Sequence, residues 1–308
     1  MEKEFKDIYY KIYNENDIAH IEALYRKRGL NILKFFGITM LGGIVFPKTL
    51  IITLPLLIIY VFTSSSKKQL KKEEEYNNLY KEKFILPLFK EMFKDIQYIP
   101  KEGMSLDKYL EAEYKDNFLN IKEISKYSSN DHIIFPIKIN EKNIGNLDIY
   151  DVKLETEKDS DSHRLTIFEG LTGEFELSKN IQTKIKLNPN VISNFIDFSK
   201  NKDTISTDVS EFDKYFSIIA ENKILAMRIF TSDNIEKIMD IFKNQKYIFN
   251  INIINNKLYV RISCFSAFES TIVLNKEKHV VLEREFIALE VMKKLVCLIY
   301  KIIDNIEM

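Results

Sequence analysis

Tryptophan is absent from this chain of 308 residues, and cysteine, proline and glycine are scarce, at two, six and eight. Each scarcity excludes something. Cys264 and Cys297 cannot form a disulfide framework; both stand among apolar neighbours and read as small buried hydrophobes, the usual state in a reducing compartment. With so little proline and glycine there is no Pro-rich or Gly/Ser-rich linker, and no repeat of fixed period is found. Neither sign of charge prevails, since 45 Lys and Arg balance 45 Asp and Glu. A general nucleic-acid binder needs a basic excess to displace counterions from phosphates, so nucleic acid is not expected as a partner.

Reactive motifs are missing too. The chain has no GxxxxGKS/T, GxGxxG, GxSxG, HExxH or CxxC. His20, His132, His163 and His279 lie far apart, and no two of them, and no histidine with a cysteine, stand at helical ligand spacing. His20 with Asp17, and His279 with Glu283, have that spacing, which surface contacts explain. No metal and no cofactor is expected.

What the chain does have is one long apolar run, Leu30 to Thr63. As a single helix it would span roughly 50 Å, beyond the ~30 Å hydrocarbon core of a bilayer. Gly42, Gly43 and Pro47-Lys48 interrupt it, leaving 30–46 and 49–63. Both pieces are short against the usual ~20 residues, so local thinning or extension into the flanks is needed. Arg26, Lys27 and Arg28 precede the first piece, and Lys67, Lys68, Lys71 and Lys72 follow the second. A single crossing would carry one basic cluster across; a hairpin keeps both inside and exports only Lys48. Lys34 stands near the inner end, where it can snorkel. The reading is a multi-pass membrane protein with both termini in the cytoplasm. A secretory signal peptide fits poorly, because the apolar region starts late and a second apolar piece follows at once. A buried core hairpin of a non-membrane protein is the competing reading.

Around the hairpin the chain divides into residues 1–29, an amphipathic helix, and residues 64–308, a cytoplasmic domain. In the first, Phe5, Ile8, Tyr9, Ile12 and Tyr13, then Ile18, Ile21, Leu24 and Tyr25, repeat at helical spacing. That face suits either a membrane surface or the protein's own core. The domain opens with a long juxtamembrane helix striped by Tyr76, Tyr80, Phe84, Leu88, Met92 and Ile96, which Pro87 should kink or divide. Ser105 is a candidate N-cap for "SLDKYLEAEYKDNF". From His132 the period becomes two, predicting four or five mainly antiparallel strands. "SEFDKYFSII" and "TSDNIEKIMDIFKNQ" read as helices flanking a short strand, the second capped by Thr231 or Ser232. "YIFNINIINNKLYVRIS" is a hairpin turning at Asn255-Asn256. The chain closes on a helix whose stripe, Leu282, Phe286, Leu289, Met292, Val296, Ile299 and Ile303, packs on a sheet or forms a helix-helix dimer seam. The fold class is α+β: a transmembrane helical hairpin followed by an antiparallel sheet with flanking helices.

Candidate chemistry is thin. Asp159, Asp161 and His163 alternate and would converge on a cation if extended, or else form a solvated turn. Gly170 and Gly173 would admit a ligand to the backbone, or mark a turn or bulge. Asp208, Glu211 and Asp213 would share a proton as an acid-base pair, or face the positive end of a helix dipole. The basic group at Lys67 to Lys72 would gain about 1 kcal/mol per lysine from anionic lipid, or serve topology alone.

The order of pieces and the local text resemble one family. "FILPLFKEMFKDIQYIP", "TIFEGLTGEFEL", "STDVSEFDKYFSIIAENKILAMRIFTSDNIEKIMDIF" and "CFSAFES" carry the likeness, most specifically Glu211 to Phe216 and Ala226 to Thr231. They resemble the bacterial domain of unknown function 3137 family, membrane-anchored by two spans. The resemblance implies membrane attachment and an α+β cytoplasmic domain; it implies no activity, cofactor or catalytic residue. The reading is a non-catalytic binding or scaffold module at the cytoplasmic face, with the lipid bilayer and an unidentified protein as partners and a homo-oligomer as a further option. Alternatives are a membrane-bound enzyme using Asp, Glu and Tyr, and a subunit of a membrane complex with the terminal helix as interface.

Overall fold

The computed structural model describes residues 2–16, 74–93, 95–112, 124–157, 164–190, 204–245, 247–263 and 278–305. The expected hairpin at 30–63 and its basic flanks lie outside them. Among the described residues no helix is long and apolar enough to cross a membrane. The chain forms two compact units, Met1–Lys94 with Ala267–His279, and Asp95–Ser266 with Val280–Met308.

In the first unit, helix α1 (Glu2–Glu15) buries Phe5, Tyr9 and Ile12, the inner stripe of its sequence pattern. Helix α2 (74–92) buries Tyr76, Tyr80, Phe84 and Leu88, with Ile85 and Phe89 beside them. Phe84 is the hub, edge-on to Tyr9 at 5.0 Å and to Tyr13 at 6.1 Å between ring centroids, the geometry that ring quadrupoles favour. The exposed Lys11–Glu91 pair, at 3.5 Å, adds little. Pro87 does not divide α2. Instead a π-helical turn, Lys81–Ile85, precedes it, closed by Leu86 N–H donating to the Lys81 carbonyl. A tight turn there would drive the pyrrolidine ring into the carbonyl four residues back; the wider turn accommodates it.

The second unit is built on one antiparallel sheet. Its strands are β1 (Gln97–Pro100), β2 (Lys126–Ser128), β3 (Asp131–Ile139), β4 (Lys142–Glu157), β5 (Arg164–Glu176), β6 (Lys184–Pro189), β7 (Thr204–Ile205), β8 (Phe216–Ala220), β9 (Phe249–Ile254) and β10 (Lys257–Ser263). They run in the order β1-β3-β4-β5-β10-β9-β6-β8-β7, with β2 also paired to β4. The four or five strands expected from His132 onward are four, β3 to β6, and the expected hairpin is β9 with β10; β1, β2 and β7 were not foreseen, because such short strands are too brief to show a period. Helices α3 (Leu106–Glu111), α4 (Ser210–Tyr215), α5 (Lys223–Ile229), α6 (Ser232–Gln245) and α7 (Lys278–Asp304) complete the unit.

"SEFDKYFSII" divides, its first half forming α4 and its second half β8. Phe216, Ile218 and Ala220 are buried at alternating positions and so follow the pleat. The segment expected as the short strand is instead α5. Ser105 caps α3, accepting from Lys108 N–H at 3.2 Å, and Thr231 accepts from Asn234 N–H at 3.4 Å ahead of α6.

Residues paired across strands share a face. One apolar row, Ile133–Ile149–Gly173–Val260–Ile251–Leu187–Ile218, therefore crosses the sheet from β3 to β8. The expected stripe of α7, from Leu282 to Ile303, is buried throughout. It meets this face at Met292 and at Tyr300, whose ring stands edge-on to Phe175; Lys293 lies over the Phe135 ring. The sheet-packing alternative is thus the one realised for that stripe. Gly173 is needed here, since a Cβ would stand 3.1 Å from Leu147 Cδ1 and 3.7 Å from Met292 Cε. Neither Gly173 nor Gly170 marks a turn or bulge; both lie inside β5, and the register shift falls between Leu154 and Glu155. Farther along, Phe242 of α6 packs on Phe216 and Phe249 at 5.2 and 6.4 Å.

Two tight turns set the register. Asn255, with φ of 57°, joins β9 to β10 as expected. Asn140 and Glu141, with φ of 50° and 65°, join β3 to β4 in the mirror-type geometry that hairpins prefer. Glutamate has no short side chain to ease that conformation, and Glu141 is exposed. Glu141→Gly is expected to stabilise the protein by about 0.5–1 kcal/mol, read as a higher urea midpoint by circular dichroism; a lower midpoint would refute the turn assignment.

Candidate functional site: the polar face of the sheet

The same strands turn their alternate residues to the other face, and there the chemistry changes. "FNINII" and "KLYVRIS" each alternate, so Asn250 and Asn252, and Lys257, Tyr259 and Arg261, all point away from the α7 face. Register extends this into a row, His132–Tyr150–Thr172–Arg261–Asn250, and a second, Asp148–Glu174–Tyr259–Asn252–Lys186.

Helix α3 lies on this face. Tyr109 and Ala112 join Met104, Tyr150, Val152, Leu154, Phe168 and Tyr259 in a small apolar cluster. The remaining ties are polar. Lys108 Nζ stands 2.9 Å from the Glu174 carboxylate and 3.3 Å from Tyr150 Oη. Lys257 Nζ holds the other Glu174 oxygen at 2.8 Å. Asn252 Nδ2 donates to the Ala112 carbonyl at 2.8 Å, closing the end of α3. Arg261, buried, donates to Tyr109 Oη at 3.0 Å and to Asn250 Oδ1 at 3.2 Å, and its guanidinium lies 4.9 Å above the Phe168 ring. Asn250 Nδ2 in turn donates to Asn188 Oδ1 at 3.2 Å.

The loop entering α3 is also clasped. His132 stacks on Tyr150 at 4.4 Å, with Nε2 2.8 Å from Asp148 and Nδ1 3.4 Å from Glu102. Met104 N–H donates to Ser129 Oγ, and Tyr127 Oη donates to the Met104 carbonyl. Gly103 passes so close that a Cβ would fall 1.9 Å from the Ser129 carbonyl oxygen.

Of the sequence candidates, Asp159, Asp161, His163, His20, Asp17 and Lys67 to Lys72 lie outside the described residues, as does the side chain of His279. Asp208, Glu211 and Asp213 do not converge as an acid-base pair. Asp213 accepts hydrogen bonds from Thr207 N–H, Thr207 Oγ1 and Ser206 Oγ, at 2.9, 2.8 and 3.0 Å, and so locks the loop before α4. Glu211 pairs with Lys243 at 2.9 Å, and Asp208 is exposed. Among the described residues no three His, Cys, Asp or Glu gather as metal ligands. The groups that do converge, Glu174 with Lys108 and Lys257, and Arg261 with Tyr109, were overlooked in sequence. Their sign was the polar half of each alternating strand; which strands would be neighbours was not written locally.

Residues 166–300 match the family described as "Protein of unknown function (DUF3137)". No curated protein matches the chain. One solved structure does, the crystal structure of the mycobacterial trehalose monomycolate transport factor A, TtfA. It is 8% identical, with a TM-score of 0.33, over 65% of this chain and 89% of that one. A likeness at that level carries no argument about either fold or function.

The electrostatics of the cluster favour resting forms. Burial opposes the charge of Glu174, but hydrogen bonds from Lys257 and Lys108 outweigh it and hold the carboxyl below its ordinary value. Burial likewise pulls against Lys108, and Glu174 then Tyr150 carry it above the usual lysine value. The Glu174 hydrogen bond raises Lys257. Burial, partly countered by Lys108, raises Tyr150. The depressed Glu174 contributes stability above the unfolded carboxyl pKa and loses it as pH falls through the folded value. The raised lysines contribute below the ordinary lysine pKa and lose it as pH rises through theirs. The cluster is therefore intact across neutral pH. Glu174→Gln is expected to cost about 1–2 kcal/mol there, with the deficit closing as the pH is lowered past ~4. Urea unfolding across acid pH measures it, and a deficit that persists undiminished in acid would contradict this assignment.

Proposed function

We propose that the chain, whose residues 166–300 match the DUF3137 family, is a non-catalytic binding or scaffold module held at the cytoplasmic face of a membrane by the apolar segment 30–63. One observation carries the non-catalytic part. Around α3 on the polar face, Glu174, Lys108, Lys257, Arg261 and Asn252 are engaged as ties between elements. Glu174 holds two lysines, Lys108 is displaced toward its protonated form, and Tyr150 toward its neutral one. A general base or nucleophile needs the opposite displacement, toward a form that is reactive near neutral pH. The cluster secures α3 rather than awaiting a substrate.

The membrane part rests on the sequence: an apolar run broken once, with arginines and lysines at both ends. The full chain is expected in the membrane fraction, resistant to alkaline carbonate, with a tag at its C-terminus shielded from protease in intact cells. Deleting 30–63 is expected to release it. Carbonate extraction of the intact chain, or cleavage of the tag from outside, would defeat this reading. Cross-linked affinity capture from membranes would then identify the bound protein.

A further inference from the structure

His132 is buried, yet its ring nitrogen Nδ1 makes no hydrogen bond. The residue stands at the start of β3, beside the loop 101–105 that leads into α3. Its Nε2 lies 2.8 Å from Asp148 Oδ1, and its Nδ1 lies 3.4 Å from Glu102 Oε1. An ionised carboxylate only accepts, so Asp148 fixes the single proton of the neutral ring on Nε2. Nδ1 then carries a lone pair, and the group it faces is a second carboxylate. In that form the ring has nothing to donate to Glu102, and two electron-rich groups oppose each other. A second proton reverses the sign. The imidazolium donates from both nitrogens and stands between two anions.

The surroundings favour that cation. Among the described residues, β4 turns Asp148 and Tyr150 toward His132, the loop brings Glu102, and α3 brings Lys108. β5 continues the row with Thr172, which does not ionise, and β1 sets Ile99 opposite His132. Tyr150 stacks on the imidazole at 4.4 Å, and an aromatic face attracts positive charge. Lys108, 5.0 Å from the centre of the same Tyr150 ring, works against it, but Glu174 already matches that charge.

The loop is held at other points by bonds indifferent to pH. Lys101 N–H donates to the Asn130 carbonyl at 2.7 Å, and Met104 N–H to Ser129 Oγ at 3.0 Å. Between them the Glu102 side chain is 54% exposed, so it can turn toward the ring or away from it. What the loop does matters to α3, whose Lys108 and Tyr109 reach Glu174 and Arg261 while the helix lies on the sheet.

We propose that His132 is a proton-operated latch. Protonated, it bridges Asp148 and Glu102 and holds the loop that carries α3. Neutral, it lets go of Glu102, and α3 lifts more often from the polar face. Histidine side chains gain a proton as pH falls through about 6.5. The added tie therefore belongs to the acid side and is lost as pH rises through the histidine range.

Hydrogen exchange of the full-length chain tests this, read by mass spectrometry on peptides spanning 101–112 and 249–263. The two conditions are about pH 5.5 and about pH 8, either side of the histidine range, with rates corrected for intrinsic exchange. Glu174 is held below its ordinary value, and Lys108 and Lys257 above theirs, so these ties do not change between the two. Protection of 101–112 is expected to be about two- to fivefold higher at the acid condition, the scale of a half-exposed ion pair. Protection of 249–263 is expected to stay level. Glu102→Ala is expected to abolish the difference while 249–263 remains protected, which shows the fold intact. Equal protection of 101–112 at the two conditions overturns the proposal, and so does a difference that survives in Glu102→Ala. Nitrogen-15 shifts of the His132 ring give a second readout. At the alkaline condition the proton is expected on Nε2 alone, and a proton found on Nδ1 there also overturns the latch.

Discussion

The apolar row that runs from Ile133 on β3 to Ile218 on β8 is the constraint on which the second unit depends. It is continuous only because every pairing along it is antiparallel and in register. A slip of one residue in β5, β6 or β9 would bring a polar residue into it, since Thr172 and Glu174, Lys186 and Asn188, and Asn250 and Asn252 flank the row there. Gly173 is the one position without a side chain, and that gap is where α7 approaches through Met292. Burying this row against α7 and α6 withdraws apolar area from water, and the stabilisation grows with that area.

The opposite face follows from the same alternation. Once odd-numbered residues of β10 are turned from α7, Lys257, Tyr259 and Arg261 must be accommodated among Glu174, Asn250 and Asn252. A buried guanidinium and a half-buried carboxylate are costly unless paired and hydrogen-bonded. Helix α3 meets that demand, since Tyr109 caps Arg261, Lys108 meets Glu174, and Asn252 closes the helix end. The polar face thus reads as architecture.

The first unit obeys a different rule. α1 and α2 are joined by aromatic rings around Phe84, and the irregularity caused by Pro87 is absorbed one turn earlier as a π-helical turn. The backbone adjusted where hydrogen bonds could be reassigned by one residue, and the helix continued instead of breaking.

Local chemistry determined what lay within a few residues. The stripe of α7, the cap at Ser105, the turn at Asn255 and the period of β9 and β10 were legible, because capping, turning and amphipathic spacing are short-range properties. β8 was misread as helix and α5 as strand, because runs of five to seven apolar residues satisfy either period. Tertiary structure alone decided which strands are neighbours, and so which polar side chains meet. Glu174 and Lys257 lie far apart along the chain, as do Tyr109 and Arg261. Their encounter is set by sheet order and by the folding back of α3, both properties of long-range packing that no window of sequence contains.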